Sequence, residues 1–133
     1  MSCFLVSSLF EETLNLSGLV GTIPSEIGRL SLLQILDLDD CQIQGTMPSE
    51  IGNLSLLRNL TLKSNNLQGS LPSEIGRCTE LVELDLSYNH LGGTIPSELF
   101  NCKQLKQLIF FNNDLTGTLS ARIQEIKDLE LCK

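Results

Sequence analysis

The chain has 133 residues, a hydrophobic fraction of 41%, an aromatic fraction of only 5%, no Trp, and a formal net charge of −7. That acidic balance, with a pI near 4.5, argues against nucleic acid or an anionic membrane as partner, because both recruit Lys and Arg. The length suits one domain, and apolar content carried by Leu fits thin stacked layers better than a single globular interior.

The opening "MSCFLVSSLF" has a short apolar run but lacks the basic n-region and clear cleavage site of a secretory leader. No run approaches the ~18 apolar residues of a membrane span, so insertion into a membrane by this segment is not expected. Val6, Leu9 and Leu14 instead match a later pattern, which makes residues 1–19 a degenerate first repeat with Glu12 where a buried Leu belongs.

From residue 20 the pattern is regular. "GTIPSEIG" (21–28) returns as "GTMPSEIG" (45–52), "GSLPSEIG" (69–76) and "GTIPSELF" (93–100), which sets Pro24, Pro48, Pro72 and Pro96 24 residues apart. "GTLSARIQ" (117–124) keeps the register with Ser120 in place of Pro. Counted from the Pro, apolar residues recur five and one before it, and three, six, nine, twelve and fourteen after it. A period this strict marks an array whose coils bury their apolar residues against one another. The twelve and fourteen columns (Leu36 and Leu38, Leu60 and Leu62, Leu84 and Leu86, Leu108 and Phe110) alternate as strands with one buried face do. Such strands lie side by side at ~4.8 Å in a parallel sheet.

Seventeen after each Pro stand Cys41, Asn65, Asn89 and Asn113. An Asn column just past a strand predicts side-chain amides that satisfy backbone groups in the inward bend. The Gly column three before each Pro marks a tight backbone position, and Pro-Ser-Glu opens a short helical turn. The Glu26, Glu50, Glu74 and Glu98 column is read as favouring the positive ends of those turns. The Thr22, Thr46, Ser70, Thr94 and Thr118 column is read as the ordinary residue of "G-T-I-P". Regular repeats run over 20–125, and 126–133 is a truncated last repeat with Leu129 and Cys132 at the nine and twelve positions.

The unit "LVELDLSYNHLGGTIPSELFNCKQ" (81–104) resembles the plant-type leucine-rich repeat, L-x-x-L-x-L-x-x-N-x-L-x-G-x-I-P-x-x-I-G-x-L. The resemblance implies an α/β solenoid of 24-residue repeats, a right-handed superhelix with a concave parallel sheet and a second short strand at "L-x-G-x-I-P". It also implies recognition of proteins, peptides or small ligands, as in receptor-like kinase and receptor-like protein ectodomains and polygalacturonase-inhibiting proteins. No paired-Cys cap of those families is seen, and the chain reads as beginning and ending inside an array. Its ends are therefore candidates for contacts with further repeats or other subunits.

Outward strand positions carry the candidate site. Asp37, Asp39 and Asp40 with Glu83 and Asp85 form an acidic region, and Tyr88, Ile109 and Phe111 an apolar one, the mixture typical of binding surfaces. The competing reading is ordinary solvated variation, with Lys63 pairing Asp39. A protein or peptide ligand is the expected partner, and a structural or scaffold subunit is the alternative. Cys78, Cys102 and Cys132 replace apolar core residues, Cys41 replaces the ladder Asn, and Cys3 lies in the degenerate turn. Free thiols are expected, although Cys78 and Cys102 neighbour each other in one column. Without C-x-x-C no zinc site is expected. The lone His90 and the lack of G-x-S-x-G, H-E-x-x-H or P-loop sequences predict no catalytic residues and no cofactor. Sequons at Asn15, Asn53 and Asn59 fit a cell-surface or extracellular setting, or occur by chance.

Overall fold

A computed structural model describes residues 11–126 and 129–132. Expectations about Cys3, Val6 and Leu9 lie outside those residues. Each coil runs from a three-residue strand through a bend to a short second strand, then through Pro, or Ser120 in the last, into a five-residue 3-10 turn.

The first strands are β1 (Thr13–Asn15), β3 (Ile35–Asp37), β5 (Asn59–Thr61), β7 (Glu83–Asp85), β9 (Gln107–Ile109) and β11 (Glu130–Cys132). They form one parallel sheet in chain order, β1-β3-β5-β7-β9-β11. The second strands, β2 (Val20–Gly21), β4 (Gln42–Gly45), β6 (Asn66–Gly69), β8 (His90–Gly93) and β10 (Asp114–Leu115), form a smaller parallel sheet. The turns are η1 (Ser25–Arg29), η2 (Ser49–Asn53), η3 (Ser73–Arg77), η4 (Ser97–Asn101) and η5 (Ala121–Glu125). All five are 3-10, which suits a stretch too short to repay α-helix nucleation.

The Leu columns are the core. Leu36, Leu60, Leu84 and Leu108 pair in register along the larger sheet and are buried. Leu33, Leu57, Leu81 and Leu105 are fully buried beneath them. Removing each such side chain from water contributes roughly 1.5–3 kcal/mol, and only the neighbouring coils make that burial available.

The bends are closed by the Asn column as predicted. Asn65 Oδ1 accepts from Ile43 N–H at 3.0 Å in the preceding coil, while its amide donates to the Leu38, Leu62 and Lys63 carbonyls. Asn89 and Asn113 repeat the arrangement on Leu67 and Leu91. Cys41 keeps only a 3.5 Å thiol contact to the Leu16 carbonyl.

Two register expectations are corrected. Leu14, not Glu12, fills the twelve column of the first described coil, because Leu14 pairs with Leu36. The coil is two residues short in its bend, where Gly18 takes φ +69° and no ladder Asn stands. At the other end Leu131 pairs with Leu108, so Cys132 is displaced one place to an outward position and is exposed.

A tight packing column carries no apolar periodicity because Gly fills it at 28, 52 and 76. A Cβ built on Gly76 would lie 2.2 Å from the Glu98 carbonyl oxygen, so the 3-10 turns stack at a distance only glycine permits. In the next coil the same place is Phe100, which is fully buried.

Candidate functional site: the outer face of the larger sheet

Residues one place off the buried Leu columns point away from the core, because side chains alternate across a strand. The eight predicted site residues all lie on this face or at its upper rim, but they do not form one cluster.

The acidic members are tied into the scaffold. Asp37 Oδ2 accepts from the Asn15 amide at 2.9 Å, and its Oδ1 accepts from Asp39 N–H at 3.1 Å. Asp39 Oδ1 accepts from the backbone N–H of Lys63 at 2.8 Å. The proposed pairing of the Lys63 ammonium with Asp39 is therefore corrected. The backbone of Lys63 makes the contact, and the ion pairs among the described residues are Lys103 and Arg122 with Glu125. Burial raises the Asp39 carboxyl above its ordinary value; the Lys63 N–H opposes that shift, and the charges of Asp37 and Asp85 add to it. Asp37 ends β3 and Asp85 ends β7, on either side of β5.

Asp85 Oδ1 accepts from both the Ser87 N–H at 2.9 Å and the Ser87 hydroxyl at 2.6 Å. Ser87 itself is 0% exposed, although strand alternation would turn it outward. Glu83 is half-buried and accepts from the Asn59 amide at 2.7 Å, apart from the Asp trio. Asp40 stands exposed at the rim.

The apolar members do meet. The Tyr88 and Phe111 rings sit edge to face with centroids 5.1 Å apart and planes at 81°. That geometry favours aromatic pairs by about 0.5–1.5 kcal/mol beyond burial alone. Tyr88 remains 48% exposed, while Phe111 and Ile109 are half-buried. A cavity of about 400 Å³ opens beside Phe111, lined also by Ile95, Phe110, Leu115 and Leu119.

One property of this rim was not anticipated. Asp40, Ser64, Tyr88 and Asn112 all take φ between +50° and +55°. Asn and Asp tolerate that left-handed conformation, whereas it is unfavourable for Tyr. The usable signal was the residue set itself, since Asp and Asn hold two of the four places. Outward Cys132 and Glu130, whose carboxylate accepts from the Gln107 amide at 3.3 Å, were also missed, because the last coil is one residue short. Among the described residues, no group of three His, Cys, Asp or Glu could hold a metal ion, and no helix is long and apolar enough to cross a membrane.

Stacked coils, an unbroken Leu core, an Asn-closed bend and an open sheet face define a solenoid of the recognition-module class. The chain belongs to the leucine-rich repeat family, whose "leucine-rich repeat region" model matches residues 12–114. Among solved structures it resembles a TDR receptor at 34% identity and TM-score 0.87, over 90% of this chain and 21% of that one. It resembles PEPR1, solved with AtPEP1, at 38% identity and TM-score 0.87, over 90% of this chain and 17% of that one. A third likeness is the ectodomain of the Arabidopsis thaliana membrane receptor kinase GASSHO1/SCHENGEN3, in complex with CASPARIAN STRIP INTEGRITY FACTOR 2. It is 37% identical with TM-score 0.85, over 90% of this chain and 14% of that one. The chain thus spans about a fifth or less of the length of these three proteins. Among curated proteins, no sequence matches it closely enough to count as a relative.

Proposed function

We propose that this chain recognises a protein or peptide through the outer, concave face of the larger sheet. The contacts would come from Asp37, Asp39, Asp40, Glu83, Asp85, Tyr88, Ile109 and Phe111, and the chain would act outside the cell within a receptor or secreted inhibitor. The observation that carries this reading is the Tyr88–Phe111 pair, half-open on the same face as Asp37, Asp39 and Asp85, whose carboxylates no side-chain cation pairs with among the described residues. An apolar anchor beside unpaired charge is the composition of a binding hot spot. The face is pre-shaped by the coils behind it, so little ordering entropy opposes binding. That two similar structures were solved with AtPEP1 and CASPARIAN STRIP INTEGRITY FACTOR 2 supports a polypeptide ligand.

The test is selection from a displayed library of random linear peptides. Enrichment of sequences pairing Lys or Arg with a large apolar residue is expected, with binding lost in Phe111→Ala and weakened in Asp37→Ala. Enriched peptides that bind both variants as well as the parent would place recognition elsewhere.

A scaffold role is the second reading. Leu115 and Leu119 are half-buried at the β10 end, as Ile95 is one coil earlier, whereas Leu91 and Leu71 are buried. A further coil or a second copy would cover them. Sedimentation equilibrium separates the readings: a concentration-independent monomer that binds peptide supports the first, and self-association supports the second.

A further inference from the structure

The sequons at Asn15, Asn53 and Asn59 are equivalent acceptors in the unfolded chain, and the fold makes them different. Asn15 and Asn59 lie in β1 and β5, and each donates its amide to a carboxylate of the next strand, Asp37 and Glu83 respectively. The Asn59–Thr61 sequon is β5 itself, paired with β3 on one side and β7 on the other, with Leu60 buried and both ends half-buried.

Asn53 is placed otherwise. It ends η2, is exposed, and rests its Nδ2 over Gly28 of the preceding coil, 3.0 Å from where a Cβ on that residue would lie. Leu54 turns inward and is fully buried, while Ser55 is exposed and its N–H donates to the Asn53 carbonyl at 3.0 Å. Acceptor amide and Ser hydroxyl are thus offered together on a tight turn in the folded chain. The buried Leu54 and Leu57 lie between that turn and the larger sheet. The same place in the flanking coils is an exposed Arg29 and Arg77, so a glycan there would cover polar surface.

We propose that Asn53 is an N-glycosylation site and carries an oligosaccharide on the return side of the solenoid, leaving the concave sheet bare. The proposal rests on the extracellular reading above. The donor is a lipid pyrophosphate-linked oligosaccharide. The Asn53 amide nitrogen forms a bond to the anomeric carbon, and the bond from that carbon to the pyrophosphate oxygen breaks. The lipid pyrophosphate leaves with the electron pair, and one amide proton passes to base.

The full chain would be secreted from yeast behind a heterologous signal sequence and checked for fold by circular dichroism. An endoglycosidase that leaves one N-acetylglucosamine on each occupied Asn, followed by peptide mapping by mass spectrometry, locates the sites. The expected result is a modified Asn53 with Asn15 and Asn59 unmodified, the mark abolished by Asn53→Gln and by Ser55→Ala but kept in Thr61→Ala. A bare Asn53 in the folded, secreted protein, or a sugar on Asn59, would overturn the proposal. The signal sequence forces entry into the secretory route, so the result does not depend on where the chain resides in its own cell. Asn53→Gln lies off the sheet and leaves peptide binding unchanged, so glycosylation and recognition fail separately.

Discussion

Replacing Asn89 by Ala tests the claim that the ladder, and not Leu burial alone, closes each bend. Asn89 is buried and makes four hydrogen bonds: it accepts from Leu67 N–H at 3.0 Å and donates to the carbonyls of Leu62 at 2.8 Å, Leu86 at 3.1 Å and Ser87 at 3.3 Å. Three of those partners are insured. Leu62 O also accepts from the Asn65 amide, Leu86 O from the Asn113 amide, and Ser87 O from Ser64 N–H. The Leu67 N–H loses its side-chain acceptor. An orphaned buried donor costs about 1–3 kcal/mol, and with the three weakened carbonyl interactions the total comes to about 3 kcal/mol. At this chain length that is a fall in Tm of roughly 10 °C. Urea titration followed by far-UV circular dichroism reads the change as a lower midpoint at constant slope. Cys41→Ala, which loses only a long thiol contact, is the internal control and is expected to cost less. An Asn89→Ala loss below about 1 kcal/mol, or one no larger than that of Cys41→Ala, would show that water satisfies the bend and the ladder is dispensable.

Tyr88→Asn relieves a left-handed backbone at φ +54° and is expected to raise stability by about 1 kcal/mol less the lost ring contact, while weakening peptide binding. A variant that is both less stable and fully active would refute that assignment. Burial pushes the Cys78 thiol up to about 11 and the Cys102 thiol up to about 12, whereas Cys132 is exposed. Iodoacetamide at pH 8 is therefore expected to label Cys132 in the native protein and Cys78 and Cys102 only after denaturation, read by peptide mapping. The Asp39 carboxyl is raised in the folded state, so the fold binds its proton more tightly than the unfolded chain does. Asp39 then favours folding less as pH climbs through the carboxylate range. Asp39→Asn keeps an acceptor for Lys63 N–H and is expected to stabilise at pH 7, with the gain shrinking as pH falls toward the ordinary value of 3.8 and level below it. A pH-independent difference in urea midpoint would contradict it.

The regular coils were legible because their information is local and repeated. A Leu at the twelve position means the same thing in every row, so Leu36, Leu60 and Leu84 confirm one another. The ends were less legible for the same reason. With a bend two residues short, Leu14 fell into the wrong column, and one missing residue turned Cys132 from a supposed core position into an outward one. Nothing in the composition of a single row announces a deletion; pairing with the adjacent coil does. The strand alternation placed these side chains off the buried Leu columns, but it did not reveal how they are organised there. Ser87 follows the outward alternation of its strand, yet it is fully buried, with its hydroxyl donated to the Asp85 carboxylate.

The 24-residue period by itself determined the solenoid, the parallel sheet, the buried Leu spine and the Asn-closed bends, because each follows from a residue type recurring at a fixed interval. Only the tertiary structure decided which backbone groups the acidic side chains accept from, that Tyr88 meets Phe111 edge to face, and which sequons lie within the larger sheet. Those outcomes depend on distances between coils, and a periodic sequence specifies which residues become neighbours without specifying how their side chains share the space.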